Sequence, residues 1–496
     1  MTVVESALYA LLLAAAAAVV WRRPVAALYL FVVGLAVHNA VMAALYAAGV
    51  RGTTLTAITA WKEILLAVAL ARVAVVALRE HRLPFRPGVV DWLALAFAAL
   101  TLAYALVPQS TLGGEAGRRA VALAVRHDLV PVAAYFLGRS LRLGRGHLRR
   151  LGWTLLGTAG AVAALGLADV YLVAVGWWRT SGVVDYFHRH LGYDYHGTGL
   201  RREPDGTLAG LPENFVYNVG GDRPFLRRLV STFLSPLASS YLFVVALVGA
   251  AGVLRRWRPP AIALGLLAAA GLLWTFTRSA LLAVAVGLVV LALVRRRPHE
   301  LAAAVAVVAV AVAWAHVFPR IGPTGTWTRT DLAYQHELAT RSPGTSNAAA
   351  SVNESSLREH WTSLRDGVRT VVHHPQGYGL GNVGQTASRT NTPLLAGESN
   401  YTELGVELGA AGALLWIAWV LALLAALVRA AREERWAGAM AAAFAAILAL
   451  AVQTDVIGDP WVAYCVWALG GSLALVRPRP EGARLEERLA PAPRAS

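Results

Sequence analysis

Thirteen apolar stretches follow one another along this chain, near 6–20, 24–50, 55–78, 89–107, 120–138, 151–177, 233–254, 260–276, 279–294, 301–318, 401–428, 436–456 and 460–476. A bilayer is crossed by about 20 helical residues, and in hydrocarbon a helix bonds all of its own backbone groups. The expected fold is therefore all-α, a polytopic transmembrane helical bundle of about 12–13 spans. Composition agrees: 57% of the 496 residues are hydrophobic and 15% are charged, against roughly 25% charged in an average soluble domain. A single cysteine, Cys465, rules out an intrachain disulfide and any cysteine-built zinc or iron–sulfur centre.

Basic residues number 45 and acidic residues 29, a formal net charge of +16, and Lys62 is the only lysine. Such an excess suits nucleic-acid binding as well as membrane topology, so the positions decide. Arginines gather in alternate short loops, at 22–23, 79–86, 139–150, 255–258, 295–297, 429–435 and 477–494, twenty-four in all, while 1–5, 51–54, 108–119, 275–278 and 457–459 are poor in them. The positive-inside rule then places the N-terminus outside and the C-terminus in the cytoplasm. Topology accounts for most of the charge, and no nucleic-acid partner is expected. Arg22 and Arg23 follow the first apolar run, which reads as an outside-to-inside span and not as a cleaved signal. The tail, rich in Pro, Arg and Glu, is expected to be a disordered cytoplasmic end.

The expected organisation is N-terminal helices over 1–177, a first external loop at 178–232, central helices over 233–318, a larger external loop at 319–400, C-terminal helices over 401–476 and the tail 477–496. Each long loop mixes seven arginines with six carboxylates, and long loops of this kind are where chemistry is sought. In the second, Leu357, Trp361, Leu364, Val368 and Val371 recur at helical spacing and predict a helix ended by Pro375. It could lie across the mouth of the bundle with Arg358, Arg365 and Arg369 near lipid headgroups, or simply pack a loop with a solvated face.

Ionisable groups inside spans are costly and point to function. Lys62 and Glu63, and Arg126, His127 and Asp128, lie about seven residues into their helices, roughly 10 Å below the outer surface. Arg278 stands at the outer start of another helix. Cations at one depth below two external loops suggest a polyanion site, such as the diphosphate of a polyprenyl-linked glycan. The plainer reading is mutual pairing, Lys62 with Glu63 or Arg126 with Asp128.

The stretch His374-Pro375-Gln376-Gly377-Tyr378-Gly379-Leu380-Gly381 resembles the H-P-x-G-x-G-x-G signature of the bacterial O-antigen ligase and polymerase superfamily. The stretch from Arg228 through Ser231-Thr232-Phe233 to Pro236 is similar to its R-x-x-G-T-F-x-x-P segment, and Thr277-Arg278-Ser279-Ala280 to its S-R-S-G/A motif. Glu398-Ser399, Gly409 and Gly412 follow the spacing of the ligase pattern H-[NSQ]-x9-G-x2-G, with Glu398 in place of the His. Weaker likenesses at Lys62-Glu63, at Arg126–Asp128 and at Tyr135–Arg139 extend the match over most of the chain.

The resemblance implies a metal-independent, inverting glycosyltransferase in the bacterial inner membrane, with its active site facing the periplasm or exterior. Its donor would be an undecaprenyl-diphosphate-linked glycan. Its acceptor would be a sugar hydroxyl of lipid A-core, or of a second lipid-linked glycan if the chain is a polymerase. No cofactor is implied, and contact with other polysaccharide-assembly proteins is. Positive groups would hold the diphosphate and stabilise the leaving group, a part carried over to Arg228 and Arg278, with Arg126 and Lys62 as further diphosphate-binding candidates. A base would take the proton of the attacking hydroxyl, a part given to Glu398, with His374 next because it occupies the signature position.

Other patterns weigh less. Gly379-Leu380-Gly381-Asn382-Val383-Gly384 fits G-x-G-x-x-G but lacks a surrounding βαβ unit. His188, His190 and His196, with Asp185 and Asp194, offer metal-ligand chemistry at a spacing that matches no closed site, so no metal is expected. A transporter of an anion or lipid-linked sugar is the rival from another class, and it predicts internal repeats and sites near the midplane. Cysteines introduced at Ser346 and Asp205 are expected to react with an impermeant thiol reagent in intact spheroplasts, and one at Gly144 is not. Labelling of Gly144→Cys alone would invert the topology.

Overall fold

Every apolar stretch coincides with a helix in the computed structural model, which describes residues 3–141, 143–193, 201–202, 204, 206, 208–219, 225–254, 258–341, 351, 355–395 and 397–474. Asp194, His196, Asp205, Ser346 and the tail 477–496 lie outside the described residues. The N-terminal part comprises α1 (Val3–Arg22), α2 (Ala26–Ala47), α3 (Gly52–Thr59), α4 (Trp61–Arg79), α5 (Val89–Leu106), α6 (Arg118–Leu141) and α7 (Arg145–Leu172). The first long loop holds the short α8 (Val175–Thr180) and α9 (Val183–Asp185). It also forms two small antiparallel ladders, β1 (Arg201–Arg202) with β2 (Leu208–Ala209) and β3 (Val216–Tyr217) with β4 (Leu226–Arg227). These strands are too brief for an alternating pattern to announce them.

The central helices are α10 (Pro236–Val253), α11 (Pro259–Trp274), α12 (Arg278–Arg295) and α13 (Pro298–Ile321). The second long loop carries α14 (Arg329–Arg341), α15 (Ser355–His373) and α16 (Gly384–Thr390). The chain ends in α17 (Asn400–Ala430), α18 (Arg435–Leu450) and α19 (Trp467–Leu473). Among the described residues eight helices are long and apolar enough to cross a membrane, and four more are apolar but shorter. With α4, which carries Lys62, Glu63, Arg72 and Arg79, they account for the apolar stretches.

Local chemistry sets where the helices stop. Ser235 caps α10 by accepting from Ala238 N at 3.3 Å, with Pro236 in the first turn, where its missing N–H costs nothing. The apolar run 436–456 unwinds after Leu450 because the Asn400 side chain takes over its backbone. Asn400 Oδ1 accepts from Val456 N (2.7 Å) and Ile457 N (3.2 Å), and Nδ2 donates to Asp455 Oδ1 (2.7 Å).

Packing depends on small residues, as expected where lipid is as apolar as the helix surface. α6 crosses α19 so closely that a Cβ on Gly138 would fall 1.9 Å from Ala468 O, and one on Gly471 would fall 2.3 Å from Tyr135 O. α18, lined with buried alanines, sits against α10 and α12. Where α5 meets α6, Asp91 accepts from Arg139 Nε (2.7 Å) and Nη2 (2.9 Å) and from Tyr135 Oη (2.8 Å), so this buried charge is fully paired.

The two long loops lie at one end of the bundle, the loop end, and are clasped to each other. Arg179 of α8 forms a two-bond pair with Asp331 of α14. Burial raises the Asp331 carboxyl, but hydrogen bonds from Arg179 and Thr328 outweigh it and hold the group below the usual carboxylate range. Gly138→Val is expected to lower the thermal unfolding midpoint in detergent, because overpacking a tight contact costs about 1–3 kcal/mol. Gly157→Ala, on α7 with nothing within 4 Å of the added Cβ, should leave the midpoint unchanged.

Candidate functional site

The segment after β4 lies along the turn between α11 and α12. Leu229 N donates to Trp274 O (2.9 Å), Arg228 Nε to Thr275 O (2.9 Å) and Arg228 Nη2 to Thr277 Oγ1 (3.3 Å). Arg278 follows Thr277 as the first residue of α12. Two motifs distant in sequence are thus laid side by side at the loop end, each with a partly exposed arginine. Arg227, one residue earlier in the strand, points the opposite way and bonds Asp169 Oδ1 (3.1 Å) and the Val173 carbonyl (2.6 Å) of the α7 end. Ser231 adopts φ 48°, a left-handed conformation that a glycine takes freely. The superfamily segment has Gly at this position.

The glycine signature is built into a break in α17. Gly409 has φ 72° and ψ −179°, which interrupts the helix. The loop supplies the missing partners: Tyr378 N donates to Val406 O (2.7 Å), Gly379 N to Glu407 O (3.0 Å), and Ala410 N donates to Pro375 O (2.8 Å). A Cβ on Gly409 would fall 2.4 Å from Pro375 O. Asn382 extends the lock by accepting from Glu115 N (2.8 Å) and Ala116 N (3.0 Å) of the loop between α5 and α6. His374 Nε2 bonds the Leu112 carbonyl (2.8 Å), and its ring stacks on Tyr378 with centroids 3.9 Å apart. Its ring is therefore engaged in holding the loop.

Of the two pairings the sequence offered, Lys62 with Glu63 forms and Arg126 with Asp128 does not. Lys62, 2% exposed, donates to Thr59 O (2.7 Å) and lies 3.6 Å from Glu63. Arg126 pairs across helices with Glu63 (Nη2–Oε1 2.5 Å) and not with Asp128. Residues two apart on a helix point to different sides, so Asp128 faces inward instead. There His127 bridges two carboxylates, with Nδ1 2.9 Å from Asp128 Oδ1 and Nε2 3.0 Å from Asp455 Oδ2. Glu407 Oε1 accepts from Gly381 N (2.8 Å), and Glu403 packs against the backbone at Gly384. The sequence held a signal for this pair, two carboxylates four apart in an apolar helix, which the motif search passed over.

Glu398, partly exposed ahead of α17, lies with Oε2 2.7 Å from Nδ1 of His360 on α15. His360 carried no sequence signal beyond its helical position. Arg389 of α16, also missed, donates to Tyr193 Oη (2.6 Å) and so joins the two long loops. Burial, then the charges of Arg389 and Arg119, hold His190 below the usual imidazole range. Asp185 is engaged by Tyr46 Oη (2.9 Å), Leu208 N (3.1 Å) and Arg189 (3.0 Å). Among the described residues no group of three or more His, Cys, Asp or Glu side chains is arranged to hold a metal ion.

Residues 262–417 match the family model described as O-antigen ligase. Over this stretch the chain is similar to the O-antigen ligase family. The match supports the O-antigen ligase and polymerase superfamily. It takes in Arg278, His360, the glycine loop, Glu398 and the α17 break. Arg228, Arg126 and Lys62 fall before the matched residues in sequence. No curated protein matches the chain.

Asp455→Ala would leave the His127 ring and the Asn400 amide each short of a partner. The expected loss is about 3 kcal/mol, as for other broken buried pairs, read as a lower thermal midpoint in detergent. An unchanged midpoint would show that the bridge contributes nothing to stability.

Proposed function

We propose that this protein transfers a glycan from a polyprenyl diphosphate, undecaprenyl diphosphate in bacteria, to a sugar hydroxyl at the exterior face of the inner membrane. The observation that carries the reading is the juxtaposition of Arg228 with the Thr277-Arg278 turn through the bonds to Thr275 and Thr277, in a chain whose residues 262–417 are similar to the O-antigen ligase family. In the reaction the acceptor oxygen attacks the anomeric carbon as its bond to the diphosphate oxygen breaks. The leaving diphosphate keeps the electron pair, and the configuration inverts. Guanidinium forks suit the phosphate oxygens of that leaving group. Arg126, partly exposed and oriented by Glu63, joins Arg228 and Arg278 in this role. Lys62 acts behind it by fixing Glu63.

The proton of the acceptor hydroxyl goes to the Glu398–His360 pair, a carboxylate and an imidazole 2.7 Å apart and partly open to an incoming sugar. A polymerase differs from a ligase only in the acceptor, and Glu398 at the position where the ligase pattern has His favours an acceptor other than lipid A-core. No metal or nucleotide enters these steps.

Purified protein, radiolabelled lipid-linked glycan and acceptor, without added nucleotide or metal, provide the test. Arg228→Lys and Arg278→Lys should impair transfer, because an ammonium lacks the planar fork. Glu398→Gln and His360→Gln should lower turnover by about 10²–10⁴-fold, as for a lost general base, and Glu398→His should restore part of it. Normal transfer in the arginine variants and in their Ala counterparts would refute the diphosphate assignment. Normal turnover in both Gln variants would remove the pair from the mechanism.

A further inference from the structure

α15 presents two working faces. One edge packs on the first turns of α17: His360 meets Glu398, a Cβ on Gly367 would fall 2.7 Å from Thr402 Cβ, and Val371 lies against Gly405. The two helices therefore run side by side in the same direction until Pro375 reaches Ala410. The adjoining face, about a quarter-turn round the helix, is apolar and open, with Leu357 41%, Trp361 69%, Val368 50% and Val372 69% exposed. Spacings of 4, 7 and 4 put these four on one strip. Arg358, Arg365 and Arg369, all exposed, follow at the same kind of spacing along one side of it. Glu359 and Asp366 fall on the far side, and Asp366 lies 3.8 Å from Arg369.

The depth of α15 follows from α17. After the break, Ala410–Ala430 already spans about 30 Å, the thickness of the hydrocarbon core. The turns before the break are tied to the last turn of α18, with Asn400 N on Ala451 O (3.1 Å) and Tyr401 Oη on Leu448 O (3.1 Å). These turns, and α15 beside them, thus sit at the boundary of the leaflet on the loop end. A helix there with an apolar strip and an adjoining row of arginines matches the chemistry of the acyl–headgroup boundary.

We propose that α15 is an interfacial helix whose Leu357–Trp361–Val368–Val372 strip enters the leaflet at the loop end while Arg358, Arg365 and Arg369 bind anionic lipid phosphates. The inference is independent of the transfer reaction.

Its test uses the full chain in nanodiscs of phosphatidylcholine with or without phosphatidylglycerol. The native Cys465 is buried, so single cysteines at Trp361, Val368 and Val372, and at Glu359 and Asp366 as the other face, can each be labelled with an environment-sensitive fluorophore. Lipids with a nitroxide near the headgroup should quench the first three several-fold more than the last two. Combined Arg358→Gln, Arg365→Gln and Arg369→Gln should weaken that quenching in phosphatidylglycerol discs and leave phosphatidylcholine discs unchanged. Equal or absent quenching on the two faces overturns the proposal. So does a strip shielded from both lipid nitroxide and aqueous iodide, which would mean that protein covers it.

Discussion

A helix inside a bundle of this kind can stop hydrogen-bonding to itself only where other groups take up its backbone. In α17 that happens at Gly409, and the partners are the carbonyl of Pro375 and the amides of Tyr378 and Gly379. Much else at the loop end hangs on this splice. It fixes the glycine loop against the α5–α6 connection through Asn382 and His374, brings Gly381 N to Glu407, and sets the line along which α15 approaches Glu398. The glycines serve the splice directly: at Gly409 both the positive φ and the nearby Pro375 carbonyl exclude a side chain.

Beneath the splice the bundle holds charge by pairing it. His127 between Asp128 and Asp455, Arg126 on Glu63, and Arg139 on Asp91 each join elements far apart in sequence. Such pairs contribute little net stability when desolvation is counted, but breaking one is expensive. They therefore fix which helices stand together. The loop between α18 and α19 is shaped by this economy, since Asn400 and His127 both converge on Asp455.

The bundle was legible because hydrocarbon imposes a length on each apolar run, and the helix at 355–373 because its apolar residues keep strict helical spacing. Partners across helices were not legible. Arg126 looked suited to Asp128, two residues on in the same helix, but the direction of each side chain on α6 sends it to Glu63 instead. Arg227 and Arg228 are alike as letters, and strand alternation alone turns one inward and leaves the other at the surface. Motif spacing led to Glu398, whereas His360, its neighbour in space, comes from a helix 38 residues away in sequence. The break at Gly409 hides within a run of apolar residues whose hydropathy continues across it.

The cations gathered at the loop end, Arg126, Arg228, Arg278 and Arg389, are all arginines, and the chain's one lysine is buried beneath them. Guanidinium keeps its charge wherever an ammonium would begin to titrate. A surface made this way keeps its positive charge from acid to alkaline pH. On the proposed reading, in which these arginines hold the donor diphosphate, that choice would make recognition insensitive to pH.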